Sequence, residues 1–249
     1  MNEPVNDKVY IHEFIDVTGH NRGRYMYHMT ANWSPAAQED RHQRCYGVWG
    51  VVGSTGAWPQ VVNIWEEDGF AGLANSLRHE LGHRDLQDPK LAAWWAAASS
   101  LRSGGVDRLL VPAPWMATID EVCRAGIRGE LYAHEQVRVP RGSSAEYLEI
   151  VRQEAIPAMD RFGWVLAGAW ETALTDDSEC FVLWSVPTWE QWAAREHARR
   201  RDRDLARWEM RNIEVTESFT RILLVEAELS PMRLGRQPAR SDRTEAWDG

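Results

Sequence analysis

The chain is poor in the features that mark several large classes of protein. Only three of its 249 residues are cysteine (Cys45, Cys123, Cys180), an odd number without the spacing of a zinc or redox pair. No disulfide framework is expected, and a reducing cytoplasm is the natural setting. No apolar run approaches the roughly 20 residues of a membrane-spanning helix, and the polar start, Met1 to Asp7, has no apolar leader-like stretch. Positive charge is not in excess: 28 Lys and Arg stand against 37 Asp and Glu, a net charge of −9. The basic residues are not interleaved with aromatics on one surface, so a grip on nucleic-acid backbones is not expected. The chain also lacks a phosphate-cradling glycine loop, a Gly-x-Ser-x-Gly elbow and a Cys/His nucleophile context. Gly53-Ser54-Thr55-Gly56 reads only as a turn. Nucleotide cofactors and acyl-enzyme chemistry are unsupported.

Tryptophan, by contrast, is abundant at 14 copies. So many indoles can fill a large core or wall a ligand pocket. Their spacing leads to an internal repeat. Tyr10-Ile11-His12-Glu13 returns as Tyr132-Ala133-His134-Glu135, 122 residues on. Gly47-Val48-Trp49 matches Gly168-Ala169-Trp170, Trp65 matches Trp184, Trp94 matches Trp208, and Arg108–Val111 matches Arg221–Leu224, with an offset that only shrinks along the chain. A duplicated unit with a few deletions behaves in this way.

Each unit reads as strand, helix, two strands joined by a turn, helix, closing strand. The opening strands are Val9–Val17 and Leu131–Val139. In the second unit, Ser143 and Glu146 form an expected capping box ahead of a helix carrying Leu148, Val151, Ala155 and Met159, with Pro157 kinking it or setting its last turn. Cys45–Val52 with Val61–Trp65, and Trp164–Thr172 with Cys180–Val186, alternate as strands. Asp68, and Thr188 with Gln191, open the second helices. This βαββαβ order is the ferredoxin-like plan, an α+β fold whose sheet keeps one open face. Two fused units are expected to bury those faces against each other as a pseudo-dimer. The first unit spans 8–118, a linker 119–130, the second unit 131–230, and a polar, Arg/Pro-rich tail 231–249 is expected to be disordered.

Two such units in tandem resemble the dimeric α+β barrel superfamily, and within it the NIPSNAP proteins. The resemblance is carried by the Tyr-led opening strands, ending at Val17-Thr18-Gly19 and Val139-Pro140-Arg141-Gly142, and by the Gly/Trp-containing second and Trp-containing third strands. It covers roughly 8–230. His-Glu follows where the family commonly continues Tyr-Glu-Leu-Arg. The superfamily includes cofactor-independent monooxygenases, isomerases, haem enzymes and haem degraders, so the resemblance implies a small-molecule pocket and no particular reaction.

The Tyr-x-His-Glu strands are the leading chemical candidates. Alternation puts Tyr10, His12 and Phe14 on one face and Ile11, Glu13 and Ile15 on the other. Tyr132, His134 and Gln136 likewise oppose Ala133, Glu135 and Val137. With the Tyr/His face inward, His12 and His134 are pocket acid–base groups. With the Glu face inward, Glu13 and Glu135 are buried carboxyls with raised pKa. A purely structural role for the duplicated pair is the alternative. The units differ most in their first helix, where Tyr25, His28, Met29 and Asn32 share a helical stripe, which suggests that unit one holds the working site. Trp49, Trp65, Trp170 and Trp184 form either core or an aromatic wall.

His79-Glu80-Leu81-Gly82-His83 matches a zinc-protease pattern. Helical spacing sets its histidines opposite the apolar face of Phe70, Leu73, Leu77 and Leu81, and the third ligand is missing, so a solvated face is the better reading and no metal is assigned.

The expected function is a cofactor-independent enzyme acting on a small apolar or aromatic metabolite by isomerisation, elimination or oxygenation. His12, Glu13 and His28 would do the work, His134 and Glu135 would be their counterparts, and Tyr10, Tyr25, Asn32, Trp49, Trp65, Tyr132, Trp170 and Trp184 would contact the ligand. The alternatives are a non-catalytic binding module for a small ligand or protein, and a haem protein with His12, His28 or His134 as axial ligand. Self-association into a homo-oligomer is expected.

Overall fold

The computed structural model describes residues 5–244. The first unit consists of β1 (Val9–Val17), α1 (Arg22–Tyr27), a π-helical turn (His28–Trp33), α2 (Ser34–Arg41), β2 (Arg44–Val51), β3 (Gln60–Glu67), α3 (Gly69–Leu81), α4 (Ala92–Leu101) and β4 (Arg102–Pro112). Helix α5 (Ile119–Ala125) leads to the second unit. There follow β5 (Leu131–Arg138), α6 (Ser144–Ile150), a second π-helical turn (Val151–Ala155), α7 (Ile156–Asp160), β6 (Val165–Thr172), β7 (Glu179–Val186), α8 (Trp189–Ala198), α9 (Arg203–Val215), β8 (Ser218–Glu226), α10 (Pro231–Leu234) and a short 3-10 turn (Arg240–Asp242). Among the described residues no helix is long and apolar enough to cross a membrane.

Within each unit the strands take the ferredoxin-like order, β4-β1-β3-β2 and β8-β5-β7-β6, all antiparallel. The two sheets do not merely stack. β2 pairs with β8 along Trp49–Val51 and β4 with β6 along Leu110–Pro112, so eight strands close into one barrel. Closure removes the free strand edges that two stacked sheets would leave.

Alternation then sorts the side chains. The Tyr/His face looks into the barrel, where Tyr10, Tyr46, Trp49, Tyr132, Trp170 and Phe181 form a packed core. Trp49 and Trp170 fit because each ring lies over the glycine two residues earlier. A Cβ on Gly47 or Gly168 would run into that ring. A register shift adjoins each glycine, between Cys45 and Gly47 and between Leu166 and Gly168, so both units carry the same device.

The structure corrects the repeat by one residue at its end. Tyr10 faces Leu110 across β1 and β4, and Tyr132 faces Leu224 across β5 and β8, so Asp107, not Arg108, is the counterpart of Arg221. A one-residue slip in a strand moves every side chain to the other face.

Four local expectations also change. The linker is half helix: Thr118 and Glu121 make a capping box, and Ile119 and Val122 are buried. Residues 231–244 are ordered, and in part packed, where a loose tail was expected. Pro231 and Met232 are buried, and the Gln237 amide bonds both the N–H and the carbonyl of Cys45 at 3.0 and 2.8 Å, occupying β2 where it runs beyond its pairing with β8. The remaining tail, 245–249, lies outside the described residues. Ser143 stands at its helix N-terminus without a side-chain cap bond, as does Asp68, which pairs instead with Lys8 at 2.5 Å. Thr188 does cap its helix, accepting from Gln191 N.

The first helix of each unit contains a π-turn, and each π-turn runs into a helix with proline in its first turn, Pro35 or Pro157. Proline cannot supply the ordinary i→i−4 bond, and the wider π-turn accommodates its absence.

Candidate functional site

A cavity of about 480 Å³ opens over the outer face of the first unit's sheet, beneath its helices. Ile11 and Glu13 of β1, Trp65 of β3, and Asp107 and Leu109 of β4 lie on its strand side. Met29 and Trp33 of the π-turn, Leu77 and Leu81 of α3, and Trp94 and Trp95 of α4 enclose it. The strands deliver these groups by alternation, and register sets Glu13 between Asn63 on one side and Asp107 on the other.

Glu13 is half-buried here. Asn63 Nδ2 and Trp65 Nε1 each donate to its Oε2 at 2.8 Å. Asn63 Nδ2 also donates to the Tyr25 hydroxyl at 3.0 Å, which ties that buried phenol to the same network. Desolvation, and next the facing Asp107 carboxylate, raise the Glu13 pKa to about 7, against the opposing pull of the two hydrogen bonds and of Arg102. Both donors hold Oε2, which leaves Oε1 to carry a transferable proton. A carboxyl with this pKa is populated in both protonation states at neutral pH.

The second unit has built the same position shut. Glu135 is buried, and Arg221 Nε and Nη2 donate to its Oε1 at 2.8 and 2.6 Å. The Arg221 guanidinium lies over Trp164, as does that of buried Arg195. Tyr147, the counterpart of Tyr25, donates to Asn212 Oδ1 at 3.0 Å. One exchange, Asp107 for Arg221, separates a carboxyl of raised pKa in a cavity from a buried ion pair. The Glu face of unit one therefore borders the 480 Å³ cavity, while a smaller space of about 350 Å³ at the barrel mouth is lined by Phe14, His134 and Gln136 of the Tyr/His face.

The histidines lie elsewhere. His12 and His134 meet inside the barrel, Nε2 to Nε2 at 2.9 Å, stacked and fully buried. Burial holds both imidazoles neutral, His12 well below its ordinary range and His134 down to about 3. They share one hydrogen bond across the junction of the two repeats. His28 was expected on a stripe with Tyr25, Met29 and Asn32. The π-turn splits that stripe. Tyr25 and Met29 turn toward the sheet, whereas His28 and Asn32 line a separate cavity with Arg24 and Arg240. There His28 Nε2 donates to the Trp94 carbonyl at 3.3 Å, and Nδ1 accepts from Asn32 Nδ2 at 3.0 Å, so both ring nitrogens are engaged.

Of the expected ligand contacts, Trp65 lies in the cavity and Tyr25 beneath it. Tyr10, Trp49, Tyr132 and Trp170 are barrel core, and Trp184 is buried on the sheet of the second unit. None of the histidines expected as haem ligands lines the Glu13 cavity: His12 and His134 bond each other, and both ring nitrogens of His28 are engaged. Helix α3 ends before His83. His79 and His83 turn to Asp88, at 3.0 and 3.9 Å, and Glu80 pairs with Arg41 at 2.6 Å. Among the described residues no three His, Cys, Asp or Glu side chains are grouped to hold a metal ion.

Sequence reading missed Asn63, Arg102, Asp107 and the enclosing Trp33, Trp94 and Trp95. For Asp107 a clue existed. A repeat alignment scored on facing would have set it against Arg221 and exposed the charge reversal.

No protein-family model and no curated protein matches the sequence. Solved structures do match. A candidate monooxygenase from Lactobacillus acidophilus NCFM superposes with a TM-score of 0.59 at 8% identity, over 89% of this chain and 95% of its own. An anthrone oxidase-like protein gives 0.56 at 10% identity, over 89% and 92%. These likenesses show the fold alone, a mixed α+β protein with a closed eight-stranded antiparallel barrel. A NIPSNAP domain protein from Burkholderia xenovorans, 19% identical, covers 38% of this chain and 92% of its own, and at a TM-score of 0.34 that likeness decides nothing.

Proposed function

We propose that the chain is a cofactor-independent acid–base enzyme whose substrate is a planar, largely apolar molecule bearing an ionisable O–H or activated C–H, with Glu13 as the proton acceptor. The observation that carries this reading is the Glu13 carboxyl, raised to about 7 within an aromatic-lined cavity. Indoles suit a planar ring system. Asn63 and Trp65 fix the carboxyl by one oxygen, so the other acts in a defined place. Deprotonation is the step that isomerisation, elimination and cofactor-free oxygenation have in common. Within those, the names of the structural neighbours favour oxygenation of an aromatic or anthrone-like carbon acid. The Tyr-led strands and Gly-x-Trp strands support a NIPSNAP type.

The test is oxygen uptake and loss of substrate absorbance with anthrone and naphthols, for the native chain and Glu13→Gln. Removal of the general base is expected to lower kcat by about a hundredfold or more while ligand-induced tryptophan quenching persists. Unchanged turnover in Glu13→Gln would remove Glu13 from the chemistry. Tight binding without turnover in the native chain would make the cavity a binding module.

A further inference from the structure

Leu174 is the most exposed large apolar side chain described, at 89%. It belongs to the β6–β7 connection of the second unit, yet it lines the Glu13 cavity of the first. Its φ is +65°, a left-handed conformation that a bulky side chain seldom adopts. The bond from Thr175 N to Ala173 O, 2.7 Å long, closes a three-residue γ-turn on it. With φ positive, that turn is of the rare and strained hand. Ala173 N in turn donates to Leu109 O at 2.7 Å, one rung beyond the β4–β6 seam, and Leu109 is itself a lining residue of the cavity.

Folding gains little from this arrangement. The side chain is not buried, and glycine would relax the turn. Strain of this kind gathers where a residue is held for a contact with something outside the fold. The same cavity also exposes Leu77 and Leu81, at 40% and 49%. Its chemistry is therefore graded, with a carboxyl on the sheet side, indoles around it and aliphatic side chains toward solvent. A ligand matching that gradient is amphipathic, with an ionisable ring inward and an apolar tail outward.

We propose that Leu174 is a specificity-determining residue, a fixed lip that, with Leu77 and Leu81, holds the apolar tail of a substrate whose ring lies at Glu13. This rests on the reading of the Glu13 cavity as a site for ionisable ring compounds. It also gives the second unit a part in the first unit's site, because the seam that closes the barrel is what brings Leu174 there.

The probes are 4-methylphenol and 4-octylphenol, with binding read by tryptophan quenching in the full chain, Leu174→Gly and Leu174→Ser. The native chain is expected to prefer the octyl compound. Both variants are expected to lose about tenfold in affinity for it, the worth of a few methylene contacts, and to bind the methyl compound within about twofold of the native value, a change too small to alter the ranking. Leu174→Gly is expected to melt no lower than the native chain, since its turn is relaxed. Equal losses for both phenols, or none for the octyl compound, would overturn the lip while leaving the Glu13 cavity as a phenol site. Failure of the native chain to bind either phenol would overturn the cavity reading and the lip with it.

Discussion

A carboxyl that titrates near neutrality makes its chemistry visible in pH. If Glu13 accepts the substrate proton, kcat/KM climbs as pH rises through about 7 and levels above it, and Glu13→Gln loses that limb. Asp107→Arg would give unit one what Arg221 gives unit two. A cation opposite Glu13 lowers its pKa, so the limb is expected to move to lower pH as a paired, less reactive carboxylate forms, and a pH–rate profile reads the shift directly. Stability follows with its own sign. Glu13 holds a proton in the folded chain between about 4.5 and about 7 that the unfolded chain releases, so its contribution to stability declines as pH rises through that window. The buried histidines act in the opposite sense. The unfolded chain takes up protons below about 6.5 that folded His134 refuses down to about 3, so this contribution is lost on acidification. Melting curves of Glu13→Gln against the native chain isolate the first effect: the variant gains on the native chain from pH 5 to pH 8, and a parallel course would place the carboxyl at its ordinary pKa. His12→Ala is expected to cost about 2–4 kcal/mol of stability through the lost contact and the cavity it leaves. It should leave turnover per folded molecule unchanged, since the ring lies on the other side of the sheet from Glu13. Urea titration with an activity assay separates the two.

At the scale of the element, the Gly-x-Trp strands and the π-turns do the positioning. Gly47 and Gly168 let an indole fold back over the strand, which fills the barrel and leaves the outer face to Glu13 and Glu135. Gly47→Ala or Gly168→Ala forces the ring aside and is expected to destabilise by about 1–3 kcal/mol, the usual range for overpacking, measured as a lower urea midpoint at unchanged slope. Strand positions were readable because alternation is local, and the opening strand Val9–Val17 spans the residues expected of it. The π-turn was not readable from a 3.6-residue period, so the helical stripe joined His28 and Asn32 to Tyr25 and Met29, whereas the wider turn parts them. Pro35 and Pro157, 122 residues apart like the paired histidines, were the available clue.

For the whole molecule, the two seams are short and the buried inner faces are large. Each sheet alone would expose its half of the Tyr, Trp and His core. A chain cut after Gly126, where α5 ends in a left-handed residue, is expected to yield two fragments that purify together and elute as one species. Either fragment made alone is expected to aggregate, because its open apolar face has no cover. Size-exclusion chromatography decides, and a soluble monomeric fragment would show that the units fold independently.

The duplicated βαββαβ plan and the pairing of its units were legible in the residues, as was Glu13 as one of two alternative candidates, because repeat spacing and two-residue alternation are properties of the chain itself. Which face of the sheet borders the Glu13 cavity was a matter for tertiary structure. Both faces carry ionisable groups, and only the closure of the barrel packed most of one with aromatic rings and paired histidines, leaving a smaller space at its mouth, while the helices left the 480 Å³ cavity over the other. The difference between Glu13 and Glu135 was settled in the same way. The two share a motif, and the strand across from each, carrying Asp107 in one unit and Arg221 in the other, leaves the first with a raised pKa and ties the second into an ion pair.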